Sequence, residues 1–321
     1  MYEAKALAMY YCITPVHMGA GTGLGVVDSP IQRESHTSYP VFPGSGIKGA
    51  LRDHLSTVDG KDGMIASAFG AEDPGEGAGA LSFTDAALVA YPVRSLVGAF
   101  IYLCSPVSLA RFGRQLDLAG IEHKWKVPDV ESGQALTATK ATWLKLKRTE
   151  EVSETEEVSA DSFTFKARES EELRKIAESL SNYLFCSSGH TDGSGFFSKK
   201  IKSDLVMISD SDFEYFITST TSVEAHVRID DETGTAADGA LFYIENLPPE
   251  SILSGIVLAS RERRKESQHN ADKMLSWIRE QISGHTIQFG GNATTGRGLV
   301  SVSIPDTVDG EGVGSGEGDI Q

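Results

Sequence analysis

The sequence predicts a mixed fold in which β-strands are interleaved with α-helices. Short apolar and aromatic runs bounded by Pro, Gly or Asp recur along the chain, and stretches of helical periodicity separate them. Size is the third observation, because 321 residues at 40% hydrophobic content can bury a sizeable core in one large domain or two ordinary ones. Element order alone does not separate a doubly wound sheet from a ferredoxin-like arrangement.

Residues 5–14, apolar and aromatic, read as a first strand ending before Pro15. The loop over 15–43 is too long for a mere connector in a compact domain, so it reads as functional. Gly44 and Ser45 offer caps for a helix through about Leu55, whose N-terminal N–H groups suit phosphate. Residues 80–89 and 100–104 are the next strands, and Ser105-Pro106 starts a helix to about Leu118 with Gly120 as its stop. Weak periodicity and heavy charge over 121–170 read as a partly mobile insertion outside the core. Residues 171–185 form an amphipathic helix with Leu173, Ile176, Leu180 and Leu184 on one side, leading into a flexible stretch over 187–195. A strand over 204–208, a short helix over 210–217 and a strand over 223–229 follow, with a turn at 230–234. The chain returns along 241–245, which makes 222–246 a long hairpin or protruding loop. A strand at 252–258, a helix at 270–282 and a strand at 286–289 complete the pattern.

No run approaches the roughly 18 to 20 apolar residues of a membrane helix, and residues 1–20 lack a basic start followed by an apolar core. The expectation is a cytoplasmic protein with no membrane partner. Cys12, Cys104 and Cys186 sit singly without C-x-x-C or Cys/His zinc spacing, and read as buried reduced thiols. The formal net charge of −16 argues against nucleic acid, since phosphate contacts carry most of such affinity. The distribution of that charge weakens the objection. Residues 150–161 hold six acids and no base, residues 305–321 five acids and no base, whereas residues 1–55 balance four against four.

Local motifs then point toward nucleic acid. Residues 17–34 read His-Met-Gly-Ala-Gly-Thr-Gly-Leu-Gly-Val-Val-Asp-Ser-Pro-Ile-Gln-Arg-Glu, followed by Pro-Gly-Ser-Gly-Ile-Lys-Gly-Ala-Leu-Arg over 43–52. Residues 288–298 give a second glycine-rich loop with a single arginine, Arg297. Dense glycine lets backbone N–H groups approach a polyanion, here at Gly21, Gly23, Gly290 and Gly291. Lys48 and Arg52 lie one helical turn apart behind Ser45, and with Arg33 and Arg297 they are the best phosphate ligands. Basic runs at 198–202 and 261–265 are further candidates. Neither loop fits a P-loop or G-x-G-x-x-G, which argues against ATP or NAD binding. Asp28 is the one conspicuous carboxylate at the cradle's edge, though an Asp before Ser-Pro is most often a turn former. His17 lies in a strand-end loop, where histidines are more often structural. Tyr243 and Glu245 alternate on a predicted strand and share a face, from which Glu245 could supply a second carboxylate.

The H-x-G-x-G element, the V-D-x-P-I-x-R-E run, the P-G-S-x-I-K-G-A-L-R helix start and the G-G-x-x-T-T-G-R-G tail loop together resemble the RAMP superfamily of CRISPR RNA-binding proteins. In particular they resemble the backbone subunit of the type III-B (Cmr) effector. The similarity extends through residues 241–249 and so covers most of the chain. It implies an α+β fold with a ferredoxin-like (RRM-like) core, large insertions and a protruding thumb hairpin. One RAMP domain would span 1–321, with an acidic insertion near 121–170, the thumb near 222–246 and a flexible acidic tail over 305–321. The resemblance further implies an endoribonuclease that binds guide RNA (crRNA) and cuts complementary target RNA at regular intervals. Copies would stack head to tail in a helical filament with other effector subunits. Asp28 would lie beside the scissile phosphate and support metal-dependent cleavage, with His17, Tyr243 and Glu245 as further catalytic candidates. Whether Asp28 binds Mg²⁺ (or Mn²⁺) or acts as a base stays open. Two rivals remain: a non-catalytic RNA-binding backbone subunit, and a guide-processing endoribonuclease of the same superfamily.

Overall fold

A computed structural model describes residues 2–23, 25–58, 63–71, 77–146, 155–186, 192–229, 232–235, 241–263 and 269–306. The first half runs β1 (Ala4–Cys12), β2 (Val41–Phe42), α1 (Gly44–Val58), α2 (Gly63–Phe69), β3 (Leu81–Phe83), β4 (Ala86–Arg94), β5 (Phe100–Cys104) and α3 (Pro106–Ala119). Four strands follow: β6 (Gln134–Thr137), β7 (Trp143–Leu146), β8 (Thr155–Ala160) and β9 (Phe163–Glu169). Next come α4 (Glu171–Leu184), α5 (Asp192–Asp204), β10 (Leu205–Met207), α6 (Asp210–Ser219), β11 (Ser222–His226) and β12 (Phe242–Asn246). The described chain ends with β13 (Ile252–Ala259), α7 (Ala271–Ile282), β14 (His285–Gln288) and β15 (Leu299–Ser303).

Thirteen strands form one mixed sheet in the order β14-β15-β1-β13-β4-β5-β10-β6-β9-β8-β7, with β2 on β4 and β3 on β13. Among the described residues only the β5–β10 and β6–β9 strand pairs are parallel, which does not fit a doubly wound parallel sheet. β1 lies between β13 and β15 and is buried on both faces, hence its nearly unbroken apolar composition. Its side chains alternate between two cores. Ala6, Ala8, Tyr10 and Cys12 face one core with α1, α6 and α7, and Leu7, Met9 and Tyr11 face the other with α3 and α4. In the first core, Tyr10 meets the edges of Phe42 and Phe289 at centroid distances of 6.3 and 5.8 Å. That cluster ties the strand after the long loop to the start of the tail loop. β11 and β12 form a separate two-stranded ribbon.

Where local signals are strong, the elements fall as read. Ser105 caps α3 through a reciprocal bond with Ser108, and Gly120 ends it in the left-handed conformation. α4 buries Leu173, Ile176, Leu180 and Leu184 as its periodicity predicts.

Four readings are corrected. Residues 121–170 are not an insertion outside the core, because β6 to β9 continue the main sheet and Trp125, Leu136, Val158 and Phe165 are buried. Lys166 and Arg168 alternate on the exposed side of β9 while Glu157 is buried in β8, and these charges mask the period. Of the stretch read as flexible over 187–195, residues 192–195 form the start of helix α5, and the basic run at 198–202 falls within that helix. There Lys200 is buried, pairs with Asp204 at 2.5 Å and lies over the Phe100 ring. The strand read at 80–89 is broken at Thr84-Asp85 into β3 and β4. Cys186 is exposed, while Cys12 and Cys104 are buried free thiols pushed up by desolvation. Residues 147–154, 187–191, 230–231, 236–240, 264–268 and 307–321 lie outside the described residues, and with them parts of the acidic segment, the excursion's turn, the second basic run and the tail. No described helix is long and apolar enough to cross a membrane.

Candidate functional site

The long loop after β1 is not loose chain. Val16 bridges Leu247, His17 bridges Gly291, Gly19 bridges Ile31, and Ser29 bridges Ile244 in parallel. The loop folds back on itself through Ala20 N–H to Pro30 O at 2.9 Å and Gln32 N–H to Met18 O at 2.7 Å. It thereby lies between β12 and the tail loop, so segments from both ends of the chain converge.

The glycines explain how these backbones come so close. Gly290 sits at φ +73°, and a Cβ there would collide with the His17 carbonyl oxygen. A Cβ on Gly23 would lie 2.5 Å from Val27 O. Their neighbourhood also spends the N–H groups expected to face phosphate: Gly23 donates to Asp28 O at 2.8 Å and Gly291 to His17 O at 2.9 Å. Gly23, Gly290 and Gly291 therefore hold loop against loop. Gly21 differs, being exposed at φ +92° with nothing within 4 Å of its Cβ position.

Asp28 is exposed on this loop, and the Tyr243 backbone N–H donates to its Oδ2 at 2.7 Å. Its other oxygen accepts no hydrogen bond among the described residues. His17 Nδ1 lies 2.7 Å from Glu245 O, and because a carbonyl only accepts, Nδ1 carries the proton. Nε2 then presents the lone pair of the neutral ring. A Cβ on Gly19 would stand 2.8 Å from Nε2, so this glycine keeps that side open. Asp28 and His17 are thus anchored to β12 positions two residues apart, a rise of about 7 Å.

Glu245 plays a different part from the one its strand position suggests. It is 6% exposed, and its Oε1 accepts from Arg33 at 2.6 Å and Thr221 at 2.8 Å while Oε2 accepts from Ile31 N–H at 3.0 Å. Burial pushes its carboxyl upward, but the Arg33 and Ile31 hydrogen bonds, the Arg33 charge and Thr221 outweigh this and hold it below the usual range. It is a committed structural carboxylate rather than a second free one beside Asp28. Arg33 is equally committed, donating also to Ser38 O at 2.8 Å and Ile217 O at 2.9 Å, so it is no free phosphate ligand. Tyr243 is half-buried, and its backbone orders the site by holding Asp28 and accepting Ser29 N–H at 3.1 Å.

The remaining cations divide. Arg297 pairs with Glu224 of β11 at 2.5 Å, which ties the tail loop to the ribbon. On α1, Ser45 is exposed, but Asp85 Oδ1 already takes the Gly44 N–H at 2.7 Å, so the helix start is partly capped from within. Lys48 Nζ donates to Leu81 O at 3.0 Å, and Arg52 is half-exposed one turn later. α1 adjoins the site loop, since a Cβ on Gly46 would stand 2.7 Å from Met18 Cε. Sequence reasoning missed Thr221, Glu224 and Asp85, which carry no local motif and matter only through partners far along the chain. Among the described residues no group of three or more His, Cys, Asp or Glu is placed to hold a metal ion, and Asp28 offers a single free carboxylate oxygen. That donor set fits Mg²⁺ only as an ion shared with RNA phosphates.

Comparison with known proteins places the chain in a family. The chain is 33% identical over 306 residues to the CRISPR system Cmr endoribonuclease Cmr4 of Pyrococcus furiosus, covering 94% of this chain and 96% of that protein. The crystal structure of oligomeric Cmr4 from Pyrococcus furiosus superposes with a TM-score of 0.68 at 26% identity, over 94% of this chain and 98% of that one. A chain of the cryo-EM structure of the type III-B Cmr-beta complex bound to cognate target RNA shares the fold, with a TM-score of 0.70 at 18% identity over 94% and 98%. The RAMP superfamily profile matches residues 10–301, which include the site loop, β12 and the glycine-rich tail loop that converge here, and the chain belongs to that superfamily.

Proposed function

We propose that this protein is the repeated backbone subunit of a type III-B CRISPR ribonucleoprotein, which binds guide RNA and cleaves the complementary target RNA at Asp28. The observation that carries the reading is the exposed Asp28 carboxylate, fixed through one oxygen by Tyr243 N–H and left free at the other. The relative named an endoribonuclease supports it. In this reading the sheet around β1 and β13 is the ferredoxin-like core, and the β11–β12 ribbon is the stem of the thumb. Copies meet by a head-to-tail contact, which propagates as a helical array along the guide in the cytoplasm. Base pairing supplies specificity while the protein holds the sugar–phosphate backbone.

Cleavage follows from attack of a target 2′-oxygen on the adjacent phosphorus. The P–O5′ bond breaks, leaving a 2′,3′-cyclic phosphate and a 5′-hydroxyl. The free oxygen of Asp28 receives the proton of the attacking hydroxyl, the leaving 5′-oxygen takes a proton from water, and that water regains it from Asp28; His17, oriented by Glu245 O, offers its Nε2 lone pair as the second proton acceptor of the site. In the alternative in which Asp28 instead holds Mg²⁺ (or Mn²⁺) together with RNA phosphates, the ion would neutralise phosphate charge and the His17 Nε2 lone pair would take the hydroxyl proton.

Asp28→Asn tests this, because the amide oxygen keeps the Tyr243 bond while the charge is lost. Assemblies made only with the variant should bind guide and target undiminished and cut at least about 100-fold more slowly. Undiminished cutting at the regular internal positions would remove Asp28 from the chemistry.

A further inference from the structure

The outer side of α1 carries a charge arrangement that the site loops do not explain. Lys48 is half-buried against β3 through its bond to Leu81 O, and Arg52 stands one turn further along. A third cation arrives from the other end of the chain. β13 pairs with β3 so that Ala259 lies opposite Leu81, and Ser260 N–H donates to Ala80 O at 3.0 Å. The segment continuing past that register reaches Arg263, whose carbonyl oxygen stands 3.6 Å from the Cβ position of Gly77 and whose side chain is exposed. Burial, then the Arg52 charge, then the Arg263 charge all hold the Lys48 ammonium below the usual lysine range.

Among the described residues, none of these three cations forms an ion pair with a carboxylate. The adjacent acid, Glu262, is buried and accepts from Ser67 at 2.5 Å instead. In a chain of 45 acids and 29 bases, counter-charge is abundant, so gathering three cations without it leaves a local field suited to an external anion. The donors also suit phosphate: Lys48 keeps two N–H groups beyond its Leu81 bond, and each guanidinium can fork onto two oxygens.

We infer that Lys48, Arg52 and Arg263 form one phosphate-binding cluster, in which the segment after β13 adds Arg263 to the α1 face. Its ligand is a backbone phosphate of the guide RNA, so the inference rests on the RNA-binding reading above. The test is binding of the full chain to two unrelated single-stranded RNAs across a salt series. Arg263→Gln should weaken both equally, about 3- to 10-fold, and flatten the salt slope by about 0.7, the value for one lost phosphate contact on a single strand. Arg263→Lys should retain most of the affinity, and Lys124→Gln, on an exposed position elsewhere, should match wild type. Wild-type affinity and slope in Arg263→Gln, with weak binding by Lys48→Ala/Arg52→Ala, would overturn the inference and leave the RNA reading standing. A loss confined to one RNA sequence would overturn it too. Wild-type binding by the Lys48/Arg52 double variant would overturn the α1 RNA face itself.

Discussion

Replacing Arg33 with methionine keeps most of the side-chain volume and removes a guanidinium that serves three acceptors: Glu245, Ser38 O and Ile217 O. The dominant loss is at Glu245, which is 6% exposed and would remain as a buried carboxylate without its cation. Breaking such a pair from one side costs about 3–5 kcal/mol at neutral pH. Thr221 and Ile31 N–H remain as partners, so the lower end is the expectation, about 3 kcal/mol. The pH dependence separates this cause from lost packing. In the wild type the Glu245 carboxyl is held low, so its contribution is present above the unfolded value near 4.3 and is lost as pH falls through the lower folded value. In Arg33→Met the hydrogen bond and charge of Arg33 no longer lower this value while burial still raises it, so the folded value is higher than in the wild type and less stability is lost on acidification. Urea unfolding at pH 7 and pH 4 reads this: the deficit relative to wild type should shrink at pH 4. An equal deficit at both pH values would refute the buried-carboxylate argument, and a deficit under about 1 kcal/mol would refute the pair's importance.

Two further outcomes follow from the same geometry. Gly290→Ala must move either its own strained backbone or His17 and should cost about 2 kcal/mol or more in urea unfolding, whereas Gly21→Ala, with the same sign of φ but open space, should cost about 1 kcal/mol. Glu224→Gln should change stability by less than about 1 kcal/mol, since both members of the Arg297 pair are about a quarter exposed. It should also tighten RNA binding in a salt titration by releasing Arg297 and removing a negative charge; weaker binding would exclude Arg297 as a phosphate ligand.

How legible each part is depends on whether its physics is local. Helices α3 and α4 can be read closely because Ser105, Gly120 and the Leu173–Leu184 period act within a few residues. Asp28 and His17 can be singled out by motif, but not the reason for their orientation, which is two β12 backbone groups more than 200 residues away. Glu245 misleads for the same reason: a carboxylate alternating with a tyrosine on a strand looks available until Arg33, 212 residues earlier, is seen to close it. The glycines point to close approach, yet nothing in their spacing distinguishes an RNA phosphate from another loop of the same chain. β6 to β9 hide as strands because their charges, the buried Glu157 among them, outweigh the apolar residues in any window average.

The place of β1 between β13 and β15 also sets a schedule for synthesis. A strand that is apolar on both faces leaves the ribosome well before its two hydrogen-bonding neighbours, which begin at residues 252 and 299. At roughly 5–20 residues per second, that interval is on the order of tens of seconds. Until then β1 offers unpaired backbone and seven buried-type side chains in a row, the kind of segment that nascent-chain chaperones bind. Asp28 and His17, hung on β12 and the tail loop, reach the positions described here only after residues 243–245 and 291 have been made. A chain truncated before the tail loop would therefore lack the Gly291 backbone that pairs with His17.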